Sequence, residues 1–323
     1  MNILPRLRFA QLPTPVETLP RLSQSFGGVQ ILVKRDDQTG LAFGGNKTRK
    51  LEFLLAAAQA EGARTLITAG AAQSNHCRQT AAAAARFGFD CILVLTGDKP
   101  GHRSGNLLLD GLFGARVVWA NKAEREATLV EEFDRAQGEG RRPCVIPYGG
   151  SNPVGASGYA LAMGELLEQE VYPDWIVFAS SSGGTQAGLV VGKNLYGYRG
   201  RLLGISIEEP AADLQALVAD LAKGTAALLG EAMTFPESDI LVNADYLGAG
   251  YGVMGEREME AIDLFARLEG LLLDPVYTGR AAAGLIDLIR QGFFQSGQQV
   301  LFWHTGGSPA LFADRYQDYL GVM

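Results

Sequence analysis

Trp175-Ile176-Val177-Phe178-Ala179-Ser180-Ser181-Ser182-Gly183-Gly184-Thr185-Gln186-Ala187-Gly188 passes from an aromatic and β-branched run, through a turn rich in hydroxyls and glycine, into a helix-forming stretch. A strand, such a turn and a helix together make an anion site. The helix N-terminus presents free N–H groups, and glycine lets an anion approach the backbone. The turn lacks G-x-G-x-x-G and is not a dinucleotide fingerprint. Gly183 and Gly188 have nucleotide-loop spacing, but Leu189 stands where that loop needs lysine. The reading is a site for a single phosphate on Ser182, Gly183, Gly184 and Thr185. A plain turn with serine caps is the alternative.

The same alternation runs through the chain. Ile31–Lys34, Thr65–Ala69, Cys91–Leu95, Arg116–Trp119, Cys144–Pro147, Leu202–Ile207, Leu271–Leu273 and Val300–His304 read as further strands. Leu51, Leu54, Leu55 and Ala58 repeat at helical spacing, as do Leu161, Leu166 and Leu167, and Ile262–Leu268 and Ala281–Ile289 also read as helix. Strand–helix alternation on this scale predicts an α/β protein with a mostly parallel sheet covered on both faces, whose ligands bind beyond the carboxyl ends of the strands. Gly and Pro cluster at Tyr148-Gly149-Gly150-Ser151-Asn152-Pro153, a candidate seam between domains.

Composition narrows the function. A chain of 323 residues with a formal net charge of −7 is not a general binder of nucleic acid or anionic membranes. Cys77, Cys91 and Cys144 form no C-x-x-C pair, which favours a reducing compartment. Without a signal segment or an apolar run of membrane-spanning length, the expectation is a cytoplasmic protein with no membrane partner. The 3 histidines, His76, His102 and His304, are too dispersed for a metal site, so none is expected, and acid–base work shifts toward Lys and Tyr.

Gly44-Gly45-Asn46-Lys47-Thr48-Arg49-Lys50 places Asn46 as an N-cap and Lys47 at a helix start, near the positive end of the macrodipole. A lysine whose pKa is lowered there can attack an aldehyde, whereas a solvated basic first turn is the ordinary alternative. In Gln73-Ser74-Asn75-His76, Ser74 and Asn75 offer either a carboxylate or phenolate site or a helix cap. Tyr251, in the Gly-rich stretch Gly248–Gly252, and Tyr277 read as core or rim aromatics, and Thr278 and Thr305 as caps, unless these strand ends line a site.

Taken in order, Lys34-Arg35-Asp36-Asp37, Gly44-Gly45-Asn46-Lys47, Gln73-Ser74-Asn75-His76, Ser182-Gly183-Gly184-Thr185, Gly250-Tyr251-Gly252, Asp274-Pro275-Val276-Tyr277-Thr278-Gly279 and His304-Thr305-Gly306-Gly307 resemble the pyridoxal-phosphate β-family of tryptophan-synthase-like fold. More narrowly they resemble its D-cysteine desulfhydrase and 1-aminocyclopropane-1-carboxylate (ACC) deaminase branch. The resemblance implies two three-layer αβα domains: a large cofactor-binding one over residues 1–48 and 154–323, and a small one over 49–153. It implies a homodimer with pyridoxal 5′-phosphate held on Lys47 as a Schiff base. Asn46, Asn75, Ser182 to Thr185, Thr278 and Thr305 would surround that cofactor, with Asn75 at its 3′-oxygen. Ser74, Asn75, His76, Tyr251 and Tyr277 would meet a small amino-acid substrate, and Lys47, Ser74, Tyr251 and Tyr277 would serve catalysis.

The branch's deaminases resemble one another in carrying Glu after the tyrosine of the DPVY string and an apolar residue before the final Gly-Gly. Thr278 and Thr305 depart from that pattern. The departure favours β-elimination, with hydrosulfide leaving D-cysteine and pyruvate and ammonia as products. L-cysteate sulfo-lyase, then ACC deaminase, are the nearest alternatives. A non-catalytic metabolite-binding protein is the alternative of another class.

Overall fold

The computed structural model describes residues 1–321. Its strands are β1 (Val16–Thr18), β2 (Gln30–Arg35), β3 (Thr65–Ala71), β4 (Asp90–Thr96), β5 (Arg116–Ala120), β6 (Pro143–Val145), β7 (Trp175–Ser180), β8 (Arg201–Ser206), β9 (Leu241–Asn243) and β10 (Gln299–His304). The helices are α1 (Pro20–Ser25), α2 (Asn46–Ala60), α3 (Asn75–Phe87), α4 (Gly105–Leu112), α5 (Arg125–Gly138), α6 (Pro153–Glu168), α7 (Gly184–Leu195), α8 (Ala211–Leu228), α9 (Glu256–Glu269), α10 (Thr278–Arg290) and α11 (Asp314–Leu320).

Two sheets result. The larger has the order β1-β2-β10-β7-β8-β9 and the smaller β5-β4-β3-β6. Every pairing is parallel except that of β1 with β2. In the larger sheet, Val177 and Phe302 face a core shared with Phe265 of α9 and Leu285 of α10. Ile176, Phe178, Leu301 and Trp303 face the opposite core, with Tyr159, Met163 and Leu166 of α6. A strand buried on both faces needs apolar side chains at consecutive positions, which is why β7 reads as an unbroken run. In the smaller sheet, Leu66, Leu93 and Leu95 pack on Leu51, Leu54 and Leu55 of α2, while Ile67 and Ile92 meet Ala136 of α5. Each sheet is the middle of three layers, the tryptophan-synthase β-like α/β fold.

Three local expectations are corrected. Leu271–Leu273 is no strand: Leu271 and Leu273 are buried and Leu272 is exposed, but the segment pairs with no neighbour. The Leu272 carbonyl is taken instead by the His304 ring (Nε2, 3.1 Å) and the Ser308 hydroxyl (3.4 Å). The strand expected at Cys144–Pro147 stops at Val145. Ile146 N–H still reaches the Ile67 carbonyl (2.8 Å), but the Ile146 carbonyl accepts from the Thr68 hydroxyl (2.8 Å) and the chain turns at Pro147 into the Tyr148–Gly150 turn. Asn46 is not the N-cap of α2. Gly45 is, at φ +119°, where a Cβ would lie 3.1 Å from the Thr305 carbonyl oxygen. Asn46 begins the helix and sends its amide across to the Thr185 hydroxyl (3.1 Å). The short strands β1 and β9 escape the sequence reading, because three residues are too few to display a period.

Candidate active site

A narrow cleft opens where the carboxyl ends of both sheets face each other. It is lined from β3 and α3 by Ser74, Asn75 and His76, and from β7 and α7 by Ala179 to Gly183 and Thr185. Asn46 and Lys47 of α2, the Tyr148-Gly149 turn, Tyr277, and Thr305-Gly306 after β10 complete the wall. This position, beyond the carboxyl ends of the strands, suits a small-molecule site in an α/β protein.

Lys47 is the second residue of α2, and its Nζ donates to the Gly149 carbonyl (3.1 Å). Burial lowers its pKa to about 8, so burial acts in the direction expected of the helix start. One turn on, Lys50 Nζ donates to the same carbonyl (3.2 Å) and to Ser151 Oγ (3.1 Å). Burial first, and then the charge of Lys47, hold Lys50 well below the usual lysine value. No Asp or Glu is among the cleft-lining residues. Two ammonium groups thus share neutral oxygens, an arrangement that is costly unless an anion joins them.

The turn between β7 and α7 offers a place for such an anion. Ser151 Oγ lies 2.8 Å from Ser182 Oγ and accepts from the Gly184 N–H (3.2 Å), which links Lys50 to the start of α7. The helix caps on Gly183 at φ +75°, and its first-turn N–H groups have no intrahelical acceptor. A Cβ on Gly149 would fall 2.3 Å from Ser182 Oγ and 3.5 Å from Lys47 Nζ, so glycine keeps this approach open. A buried lysine of lowered pKa beside a cationic, N–H-rich turn, with no competing carboxylate, fits pyridoxal phosphate: an aldehyde and a phosphate on one small ring.

Ser74 caps α3, accepting from the Cys77 N–H (3.2 Å), and also lines the cleft. Cap and site readings are therefore compatible. His76 presents a neutral ring: burial and then Lys47 and Lys50 depress its pKa strongly. Thr68 donates its hydroxyl to the Ile146 carbonyl (2.8 Å), so His76 reaches Thr68 as the Nε2–H tautomer (3.0 Å). Tyr277 lines the cleft with Tyr251 behind it, their hydroxyls 2.6 Å apart. Burial raises both phenols well above the usual value, which keeps them neutral.

Besides Tyr251, two expected residues stand apart from the wall. The Thr278 hydroxyl is fully buried and spent on Asp274: it donates to Oδ1 (2.7 Å) and accepts from the backbone N–H (2.8 Å). Gly184 faces Ser151, where a Cβ would come within 2.6 Å of Oγ. Thr305, by contrast, lines the cleft. Tyr148, Gly149, Ser151 and Lys50 are absent from the set of site residues read from the sequence. The signal for the first three was the Gly/Pro cluster at 148–153, read only as a domain seam.

Residues 7–306 match the family described as pyridoxal-phosphate dependent enzyme. A solved structure described as an ACC deaminase homologue is 39% identical, with 99% of this chain and 96% of that one covered and a TM-score of 0.90. A fungal L-serine ammonia-lyase from Rhizomucor miehei (16% identity, 96% and 97% covered, TM-score 0.69) and a pyridoxal 5′-phosphate-dependent aspartate racemase (21%, 91% and 90%, 0.67) share the fold.

Proposed function

Because the chain belongs to the pyridoxal-phosphate-dependent enzyme family and its cofactor is pyridoxal 5′-phosphate, we propose that it catalyses β-elimination from a small amino acid, D-cysteine foremost, releasing hydrogen sulfide, pyruvate and ammonia. One observation carries this choice: the cleft is lined by Lys47, neutral hydroxyls and amides without a carboxylate. When bound, pyridoxal phosphate supplies an electron sink for negative charge at the substrate α-carbon. A carboxylate beside the ring nitrogen would keep that nitrogen protonated and deepen the sink. A neutral hydroxyl such as that of Thr305 does not. Expulsion of a thiolate tolerates the shallower sink better than opening of a carbon ring does.

In this reading Lys47 holds the cofactor through Nζ and, when free as an amine, takes the α-proton. Its pKa of about 8 leaves a substantial neutral fraction near neutrality. Lys50 and the turn from Ser182 to Thr185 hold the phosphate, and Asn75 donates to the ring's 3′-oxygen. Ser74 binds the substrate carboxylate, while Tyr277, backed by Tyr251, offers a neutral O–H to the leaving group. We extend the reading to a small domain over 49–153, which contains all of β3 to β6. The large domain takes 1–48 and 154–323, the last two positions of which lie outside the described residues.

A second reading, elimination of sulfite from L-cysteate, has its own support. A groove sharing Tyr148, Ser181 and Ser182 with the cleft carries Lys122 and Arg125, suited to a sulfonate, although Glu208 and Glu209 oppose them there. The test incubates the holoenzyme with D-cysteine, L-cysteine, L-cysteate and ACC, and assays sulfide, sulfite, pyruvate and 2-oxobutyrate. Sulfide and pyruvate from D-cysteine are expected. Sulfite from L-cysteate as the main product would move the assignment to the second reading, and robust 2-oxobutyrate would reject β-elimination.

A further inference from the structure

Asn75 is held by a chain of groups whose hydrogen-bonding roles admit only one arrangement. Arg78, one turn along α3, is fully buried and can only donate. It reaches Asn106 Oδ1 with Nη1 (3.0 Å) and the Gly44 carbonyl with Nη2 (3.0 Å). The oxygen of Asn106 must therefore face Arg78, which turns its Nδ2 toward the Gln73 carbonyl (2.8 Å), a group that can only accept. The same Nδ2 donates to Asn75 Oδ1 (2.9 Å), and Arg78 Nη1 approaches that oxygen as well (3.4 Å). Backbone N–H of Asn106 to Gln73 Oε1 (2.8 Å) fixes the start of α4 in this register.

Asn75 Oδ1 is thus turned toward two donors and away from the cleft, which Asn75 lines. We propose that Arg78 and Asn106 are positioning residues that lock Asn75 as an obligate hydrogen-bond donor into the cleft, so that the site selects a deprotonated oxygen on the bound ring. The inference rests on the reading above in which Asn75 meets the cofactor's 3′-oxygen. An unconstrained asparagine could turn either end of its amide to the ligand and would accept a protonated hydroxyl equally well. Here the flip would set Asn75 Nδ2 against the side-chain Nδ2 of Asn106 and the guanidinium of Arg78. Arg78 has a second attachment of the same kind: with the Gln79 amide, it holds the Gly44 carbonyl three residues before Lys47.

Asn106→Asp is the discriminating change, nearly isosteric but with acceptors in place of Nδ2. The new carboxylate stays paired with Arg78 and presents an oxygen to Asn75, whose amide is then favoured in the flipped orientation with Oδ1 in the cleft. The readouts are the absorption spectrum of the holoenzyme at fixed pH and the dissociation constant for pyridoxal phosphate. Asn75→Ala and Asn106→Ala are measured alongside.

Expected for Asn106→Asp is growth of the shorter-wavelength band of the protonated 3′-oxygen form at the expense of the longer-wavelength band. Binding should weaken about tenfold or more. Asn106→Ala, which removes a donor without reversing it, should shift the spectrum less and in the same direction. If Asn106→Asp does not fold, the Asn106→Ala shift alone decides. A wild-type spectrum and affinity in the folded Asn106 variants, with both altered by Asn75→Ala, would overturn the positioning role and leave Asn75 at the ring. An unchanged spectrum in Asn75→Ala would instead overturn the placement of Asn75, and the inference with it.

Discussion

Helix α2 sends cations to two destinations that differ in one respect. On one side Arg49 meets Asp36 through Nε (2.9 Å) and Nη2 (2.8 Å) and Glu165 through Nη1 (2.8 Å), and Lys34 adds a contact to Glu165 (2.7 Å). Asp36 also accepts from the Tyr159 hydroxyl (2.5 Å), Trp303 Nε1 (2.8 Å) and the Thr14 hydroxyl (2.9 Å). Two cations, two carboxylates and a full set of donors make that cluster complete within the chain. On the other side Lys47 and Lys50 find the Gly149 carbonyl and the Ser151 hydroxyl and no carboxylate. The first cluster is structural because it is satisfied. The second, with no carboxylate of its own, is the one we propose as the site, its counter-ion supplied from outside.

The largest effect expected from breaking this contrast is on turnover. Lys47→Ala should lower the elimination rate by roughly 10²–10⁴-fold with little loss of thermal stability, since a buried amine with one carbonyl partner contributes little to the fold. A variant that turned over at the wild-type rate would place the chemistry elsewhere.

Next in size is Asp36→Ala, which leaves Arg49 and Lys34 to share Glu165 alone and leaves the Tyr159, Trp303 and Thr14 donors unpaired. Loss of about 3–5 kcal/mol is expected by denaturant titration. Burial pushes Asp36 up, but the charge and hydrogen bonds of Arg49 outweigh it and hold the carboxyl below its usual value. Its stabilisation is therefore complete above the unfolded pKa of about 3.9 and lost as pH falls through the folded one. Wild-type stability should fall on acidification through that window, and the variant's should fall less.

Lys50→Met sharpens the comparison, because the two sides predict opposite signs. A buried ammonium without a carboxylate costs stability, so the apoprotein should melt at an equal or higher temperature. Cofactor affinity should drop by roughly one to two orders of magnitude as a charge-assisted phosphate contact is lost. A less stable apoprotein with normal affinity would make Lys50 a structural cation like Arg49.

The smallest effect is on pH. With its pKa lowered to about 8, Lys47 should capture pyridoxal phosphate faster as pH rises through that value, which stopped-flow absorbance would follow. A profile still climbing only near the ordinary lysine range would mean that Nζ is solvated.

Much of this was legible in the sequence for identifiable reasons. β7 announces itself because burial on both faces demands consecutive apolar residues, and the strings at strand ends mark the cleft because parallel sheets place ligands there. Leu271–Leu273 misled because alternation of burial does not say whether a partner strand exists. Nothing in the type of Thr278 shows that its hydroxyl is engaged by Asp274. Lys50 could not be separated from Arg49 at all: both are basic residues on one helix, and only the fold decides which meets carboxylates. Asn106, 31 positions from Asn75, becomes a neighbour only when α3 and α4 pack.

Lys47 and Lys50 share one carbonyl, so the most direct test of the account is which of them carries the cofactor. Borohydride reduction of the holoenzyme followed by peptide mapping should find the pyridoxyl group on Lys47 alone. An adduct on Lys50, or on Lys34 within the satisfied cluster, would contradict the assignment of the two sides of α2.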